Sequence, residues 1–202
     1  MKKEDKPPHG GQLLIRAVVR DPEGKIISDT GRKPARSFVI QFLEAIYYLF
    51  MKSGSAAGDA TKTDGSEDLM YSGAYDCQIH YELNAPINVS SYGLVVGTGD
   101  TAETNEDYKL ETQLTEGVTV GKITHGAVSV GTAGEVGANV DVDIKRAFTN
   151  ATGSLITVKE AGAYIESMGT RRFCLIRAVL PAGVEVPDKC SLTVIYTVRT
   201  AV

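Results

Sequence analysis

The chain has 202 residues, of which 43% are hydrophobic and 23% are charged, and its net charge is −4. This length and composition are ordinary for a globular protein and allow one large domain with a substantial core. The acidic balance argues against a nucleic-acid partner, because such a protein needs a basic face to neutralise phosphates. Three cysteines without a CxxC spacing argue against a disulfide framework and predict synthesis in a reducing compartment.

The N-terminal part of the sequence predicts a polar arm followed by a β-hairpin. Residues 1–11 are polar and rich in proline and glycine, which is typical of a flexible arm. No apolar stretch follows the charged start, so we expect no signal peptide. Residues 13–19 predict a strand, residues 21–24 have the Asp-Pro-Glu-Gly sequence of a turn, and residues 26–27 return as the second strand.

One helix is predicted, over about residues 37–52. Ser37 can cap its start, and apolar residues occupy nearly every helical position from Phe38 to Met51. The apolar run is too short to span a bilayer, so we expect no membrane segment. A helix that is apolar on two sides cannot lie on an open surface alone, so the second side is covered either by the same domain or by a neighbouring subunit. The two apolar stripes are Phe38, Phe42, Ile46, Leu49 and Val39, Leu43, Tyr47, Phe50.

The rest of the sequence is β-rich. Residues 53–66 are small and polar and predict a mobile loop. Beyond it, short apolar or alternating runs are separated by Gly, Asn and Asp turns. The runs cover residues 75–83, 93–97, 122–130, 140–145, 155–158, 173–180 and 191–199. We therefore predict a mainly β fold: an antiparallel β-sandwich of jelly-roll or Greek-key type, with one N-terminal α-helix, in a single domain over residues 12–202.

The sequence contains no pattern that we interpret as catalytic or metal-binding. The three histidines lack metal-ligand spacing and are expected to be solvated, and no GxSxG or P-loop sequence is present. Asp141 and Asp143 share a strand face like the carboxylates of a glycosidase, but Lys145 continues that face, so a mixed exposed surface is expected. We predict no catalytic residue, no metal and no cofactor, and a protein that is not an enzyme.

Arg177 is the most informative charged residue, because its neighbours in the sequence are apolar on both sides. A buried guanidinium must be paired with an acceptor. Glu160 ends a strand-like run and is the candidate within the chain, whereas a carboxylate from another subunit is the alternative. We predict a structural ion pair between Arg177 and Glu160.

The C-terminal half contains five segments in a characteristic order: Tyr92-Gly-Leu-Val-Val-Gly-Thr-Gly99, Thr104-Asn-Glu-Asp-Tyr-Lys-Leu110, the run from Arg146 to Gly162, Phe173-Cys-Leu-Ile-Arg-Ala-Val179 and Leu192-Thr-Val-Ile-Tyr-Thr-Val198. This order of segments resembles poorly characterised structural proteins of tailed bacteriophages. The resemblance covers roughly residues 90–200 and rests on fold motifs, not on a catalytic fingerprint. One departure is that Ala178 follows Arg177 where the pattern often has aspartate.

The resemblance implies a virion component, such as a head decoration, neck, tail adaptor or fibre-attachment protein, made in the host cytoplasm. Its partners would be copies of itself and other virion proteins of the capsid, neck or tail. We predict that assembly buries apolar residues of the helix and of the late strand. These interface residues are Phe38, Phe42, Tyr47, Phe50, Phe173 and Leu175.

The alternative is a receptor- or carbohydrate-binding β-sandwich. Sugar platforms use exposed aromatic side chains, and the chain has nine tyrosines although it has no tryptophan. The tyrosines considered for this role are Tyr47, Tyr48, Tyr71, Tyr75 and Tyr92.

Overall fold

The computed structural model describes residues 10–35, 38–51, 59–70, 81–167 and 170–201. The fold is mainly β, as predicted. The helix is not N-terminal, because three strands precede it: β1 (Gly10–Arg20), β2 (Ile26–Asp29) and β3 (Lys33–Pro34). The predicted position of the helix was wrong because the β1–β2 hairpin, which the sequence also predicted, precedes it in the chain.

The larger sheet has eight strands. Its main path runs in the order β2-β1-β13-β10-β8-β7, while β3 pairs with β1 and β9 pairs with β10. All of these pairs are antiparallel except β7 with β8. The strands not yet given are β7 (Thr115–Glu116), β8 (Lys122–Val130), β9 (Gly134–Val136), β10 (Asn139–Thr149) and β13 (Ser191–Ala201).

The smaller sheet has three strands in the order β12-β11-β6, all antiparallel. They are β6 (Gly93–Gly97), β11 (Ile156–Ser167) and β12 (Arg171–Val186). A separate hairpin joins β4 (Asp59–Thr61) to β5 (Glu67–Leu69). The helix, α1 (Ile40–Met51), lies between β3 and β4 in the sequence and packs mainly on β12.

The two sheets share one hydrophobic core, and the alternation of side chains explains why. In β10, the side chains of Ile144, Arg146 and Phe148 are buried, while Lys145 and Ala147 between them are exposed. A strand with this period of two presents one face to the core and the other to solvent. The core contains side chains from both sheets, including Ile15, Phe148 and Tyr196 of the larger sheet and Leu94, Val158 and Tyr164 of the smaller one.

Strand β12 contains a large bulge. Val158 of β11 pairs with Val184, but Glu160 pairs with Val179, so residues 180–183 of β12 have only Lys159 opposite them. Gly183 accommodates the bend with a φ of 60°. Extra residues in one strand of a pair bend that strand locally, and here the bulge borders a cleft described below.

Two predicted segment boundaries differ from the structure. Gly10 and Gly11, which the sequence assigned to the flexible arm, pair with Ala201 and Thr200 as the first residues of β1. Part of the predicted loop at 53–66 forms β4, which is paired with β5. In both places hydrogen bonds to a partner strand, distant in the sequence for β1 and adjacent in a hairpin for β4, outweigh a local composition that is weakly β-forming. Residues 1–9, 53–58 and the predicted strand residues 75–80 lie outside the described residues.

Candidate functional site

The predicted interface residues on α1 and β12 lie close together in the structure, but their exposure differs. The Phe38 and Phe42 rings are stacked with centroids 3.9 Å apart, and both side chains are half-buried. Tyr47 is 50% exposed. Leu175 is half-buried, and the side chain of Phe50 lies outside the part of the chain that the structure describes.

Phe173 differs from its predicted role, because it is fully buried within the chain. It packs with Ala45 of α1, Ala60 of β4, Met70 and Ile165 in a second hydrophobic cluster. The helix and the β4–β5 hairpin thus cover the face of β12 that we predicted to contact another subunit. The Phe173 side chain belongs to the chain's own core and does not reach a second subunit.

An apolar stripe remains exposed on the opposite side of α1. Ile40 is 49% exposed, Leu43 is 65% exposed and Tyr47 is 50% exposed. Their spacing of three and then four residues places the three side chains on one face of a helix. We call these three residues the α1 stripe. Glu44 borders it, and burial raises the pKa of the Glu44 carboxyl.

Arg177 is buried and is surrounded by acceptors. Its Nε lies 3.0 Å from Glu160 Oε2, its Nη1 lies 2.7 Å from Asp107 Oδ2, and its Nη2 donates to the carbonyl of Thr101 at 2.9 Å. Glu160 is fully buried as well. Both ends of the predicted pair are therefore in contact, and Asp107 is a second carboxylate that the sequence reasoning did not propose.

Glu160 also organises the loop that follows β6. Its carboxylate accepts hydrogen bonds from the backbone N–H groups of Gly99, Glu111 and Thr112, at 2.8 to 3.2 Å. With Arg177, this satisfies the lone pairs of a carboxylate that has lost its water. The arrangement joins the loop to β11 and β12.

Arg146 is a second buried arginine, which the sequence reasoning did not single out. It donates to five backbone carbonyls, three of them from residues 86–92. Burial lowers the pKa of its guanidinium to about 10. The signal that identifies it is its position: Arg146 has the same parity in β10 as Ile144 and Phe148, so its side chain must point into the core.

Asp141 and Asp143 are both bound by arginines on the outer face of the larger sheet. Arg199 contacts both carboxylate oxygens of Asp141 at 2.7 Å, and Arg32 reaches Asp141 at 3.1 Å and Asp143 at 3.2 Å. Thr197 donates to Asp143 at 2.6 Å. The hydrogen bonds from Arg199 hold the pKa of Asp141 below its usual range. A carboxylate neutralised in this way is a poor general acid at neutral pH.

A cleft of about 590 Å³ lies between the β1–β3 edge and the bulge of β12. Its walls are mainly apolar and include Ile15, Pro34, Leu180 and Pro181, together with Lys33, Asp100 and Glu103. Asp100 is already paired with Lys159 at 2.7 Å. Among the described residues, the lining includes no histidine, serine or cysteine, so these residues offer no activated nucleophile of those types.

Three further candidate residues, His125, Tyr92 and Cys174, lie in the interior. His125 is buried, contrary to the expectation that it is solvated, and Tyr92 is also buried, so it offers no platform for a sugar. Burial raises the pKa of the Cys174 thiol, which makes it a poor nucleophile.

Within the described ranges, no group of three His, Cys, Asp or Glu side chains could hold a metal ion. No helix among those residues has the length and apolar character needed to cross a membrane.

No family model, curated protein or solved structure matches this chain. We therefore infer function from the sequence and from the chemistry of the described residues. The chain's buried charged groups, such as Arg177 and Asp141, are engaged in ion pairs and hydrogen bonds within the chain, while the α1 stripe is an apolar surface in contact with solvent.

Proposed function

We propose that this chain is a structural component of a bacteriophage particle, such as a head decoration, neck, tail adaptor or fibre-attachment protein, and that it acts through protein–protein assembly. The resemblance of residues 90–200 to phage structural proteins supports the particle, and the α1 stripe supports assembly. The observation that carries the proposal is the exposure of Ile40, Leu43 and Tyr47 together on one helix. Burying large apolar side chains on a neighbour is favourable by about 25 cal/mol for each Å² removed from water.

The α1 stripe would form the centre of a larger contact. A standard interface buries about 800 Å² on each partner, which is more than three half-exposed side chains can supply. Repeated copies in a symmetric ring or shell would compensate for a small contact, because each additional contact is made at a high effective concentration. The proposed partners are copies of this chain and other virion proteins.

We also propose that the two sheets form a β-sandwich of jelly-roll or Greek-key type. Support comes from the shared core and from contacts that bridge the sheets. The Tyr196 hydroxyl on β13 donates to the carbonyl of Ala161 on β11 at 3.0 Å, and Arg146 on β10 donates to the carbonyl of Leu94 on β6 at 2.8 Å. A crystal structure in which the two sheets do not pack face to face, or in which the strands connect them in another order, would contradict this proposal.

The assembly proposal is tested by measuring the mass of the purified full-length chain, alone and mixed with candidate capsid and tail proteins. We expect oligomers or complexes with the wild-type chain. Leu43→Asp should abolish them, because it places a charge in the α1 stripe. Leu43 is 65% exposed, so this variant should keep the circular dichroism spectrum of the wild type.

Ile27→Asp is the matched control. Ile27 is 48% exposed on β2, an edge strand of the larger sheet, whereas α1 packs mainly on β12 of the smaller sheet, so the Ile27→Asp variant should assemble like the wild type. A wild-type chain that remains a strict monomer and joins no particle would overturn the proposed function. Assembly that survives Leu43→Asp would show that the interface lies elsewhere on the chain.

A further inference from the structure

His125 joins β8 to the short strand β7. Its ring is 1% exposed and packs edge-on against Phe148, with centroids 5.2 Å apart. Nδ1 lies 3.0 Å from Glu116 Oε2 and 2.9 Å from the carbonyl of Ile123. Both of these atoms are acceptors, so Nδ1 must carry the hydrogen and donate it. The backbone N–H of His125 also donates to Glu116 Oε2, at 2.8 Å.

The other ring nitrogen has no partner. Nε2 is buried and has no hydrogen-bond partner within the part of the chain that the structure describes. In the neutral ring Nε2 is a bare lone pair, whereas protonation would convert it into a buried N–H without an acceptor. A buried donor without a partner costs about 1–3 kcal/mol, and more when it is charged.

The charges around the ring add to this cost. Among the described residues, β7 contributes Glu116 and β10 contributes Arg146, which is already a buried cation. The loop at 83–92 contributes the backbone N–H of Asn88, which donates to the carbonyl of His125 at 2.8 Å. Burial first, and then Arg146, lower the pKa of His125, although Glu116 opposes them. One carboxylate cannot neutralise two buried cations.

The same residues hold one corner of the molecule together. Arg146 binds the carbonyls of Pro86, Val89 and Tyr92, and the loop that contains them contacts His125 through Asn88. We propose that His125 is an acid-sensitive contact: proton uptake at Nε2 opens the corner formed by β7, the start of β8 and the loop at 83–92, while β11 and β12 stay folded.

The direction and size of the effect follow from linkage. A histidine whose folded pKa is lowered stabilises the closed state above its unfolded pKa of about 6.5, and this stabilisation is lost as the pH falls. At pH 5 the ratio of protonated to neutral His125 in the open state is about 30. The equilibrium constant for opening should therefore rise about 30-fold if His125 stays neutral in the closed state.

The test is hydrogen exchange with mass spectrometry on the full-length chain at pH 7.5 and pH 5.0, corrected for the intrinsic pH dependence of exchange. Peptides that cover residues 83–92 and 115–126 should lose protection at pH 5.0 by about 30-fold beyond any change in residues 156–167. His125→Gln cannot be protonated and should remove this difference, whereas His9→Gln should retain it.

Two results would overturn the proposal: equal protection at both pH values, or the same loss of protection in His125→Gln. If His125→Gln does not fold, the imidazole nitrogen shifts of the wild-type chain decide the question by nuclear magnetic resonance. A neutral ring protonated on Nδ1 that titrates below about 6.5 supports the proposal, and a ring that titrates at or above that value contradicts it.

Discussion

Arg146 and Arg177 are both buried, but their charges are stabilised in different ways. Arg177 is bound by the carboxylates of Glu160 and Asp107, so its charge is neutralised by opposite charge. Arg146 is bound by five carbonyl oxygens, which solvate the cation as water would. Each arginine uses the directional donors of the guanidinium to fix a loop on the sheet, which a lysine could not do at so many acceptors. Both arginines therefore hold loops against strands.

The Arg177 network gives a prediction for a single substitution. Glu160→Gln should lower the free energy of unfolding by about 3 kcal/mol, because it removes one partner of a buried ion pair. Chemical denaturation checks this value. Asp29→Asn is the control, since the Arg16–Asp29 pair is exposed and such pairs contribute little. Equal destabilisation by the two substitutions would show that the buried Glu160 pair stabilises the fold no more than the exposed Asp29 pair does.

At the scale of elements, β6 and the loop after it lie unusually close to β11. A Cβ atom at Gly97 would lie 2.5 Å from both Glu160 Oε1 and the carbonyl of Thr112, and one at Gly99 would lie 2.7 Å from the same carboxylate oxygen. The glycines let the backbone approach the buried carboxylate closely enough to donate to it. Glycine at these positions is required by the packing of two elements, not by a turn.

Gly97→Ala should therefore destabilise the chain by about 1–3 kcal/mol, the usual cost of overpacking a core. Thermal unfolding measures the effect. Gly134→Ala in β9 is the matched control, because its Cβ would meet nothing within 4 Å and its backbone is not left-handed. It should leave the melting temperature unchanged or slightly higher. A neutral Gly97→Ala variant would contradict the close packing of β6 on Glu160.

At the scale of the whole molecule, the outer face of the larger sheet is stabilised by ion pairs that depend on ionised carboxylates. Hydrogen bonds from Arg16 lower the pKa of Asp29 to about 2, and those from Arg199 lower the pKa of Asp141. A carboxyl whose folded pKa is lowered stabilises the fold above its unfolded pKa of about 3.9, and this contribution is lost as the pH falls through the folded value.

The melting temperature should therefore decrease by a few degrees at most between pH 4 and pH 2, because exposed pairs each contribute no more than about 1 kcal/mol, which corresponds to roughly 2–4 °C in a chain of this size. Calorimetry over this pH range measures the decrease. Asp29→Asn should reduce it, because the amide does not titrate. The decrease between pH 4 and pH 2 occurs at a lower pH than the His125 effect, which is tested between pH 7.5 and pH 5.0, so the carboxylate and histidine effects can be measured separately on the same chain. A melting temperature that is constant from pH 4 to pH 2 would contradict the ion pairs.

The local pattern of the sequence determined most of the secondary structure. The period of two in β10 and β13 sets which side chains face the core, and the apolar run after Ser37 predicts a helix at about the residues where α1 lies. The sequence also nominated Arg177 and Glu160, because a cation between apolar neighbours in a strand needs an acceptor. These inferences depend only on residues that are near one another in the chain.

Tertiary structure alone decided which surfaces are covered. Phe173 is enclosed because α1 and the β4–β5 hairpin fold over it, and Arg146 is satisfied by carbonyls far away in the sequence. The bulge in β12 depends on the register with β11, which no pattern within β12 specifies. Periodicity reports the direction of a side chain but not the identity of its neighbour, so the exposed α1 stripe and the buried His125 emerge only once distant segments have come together.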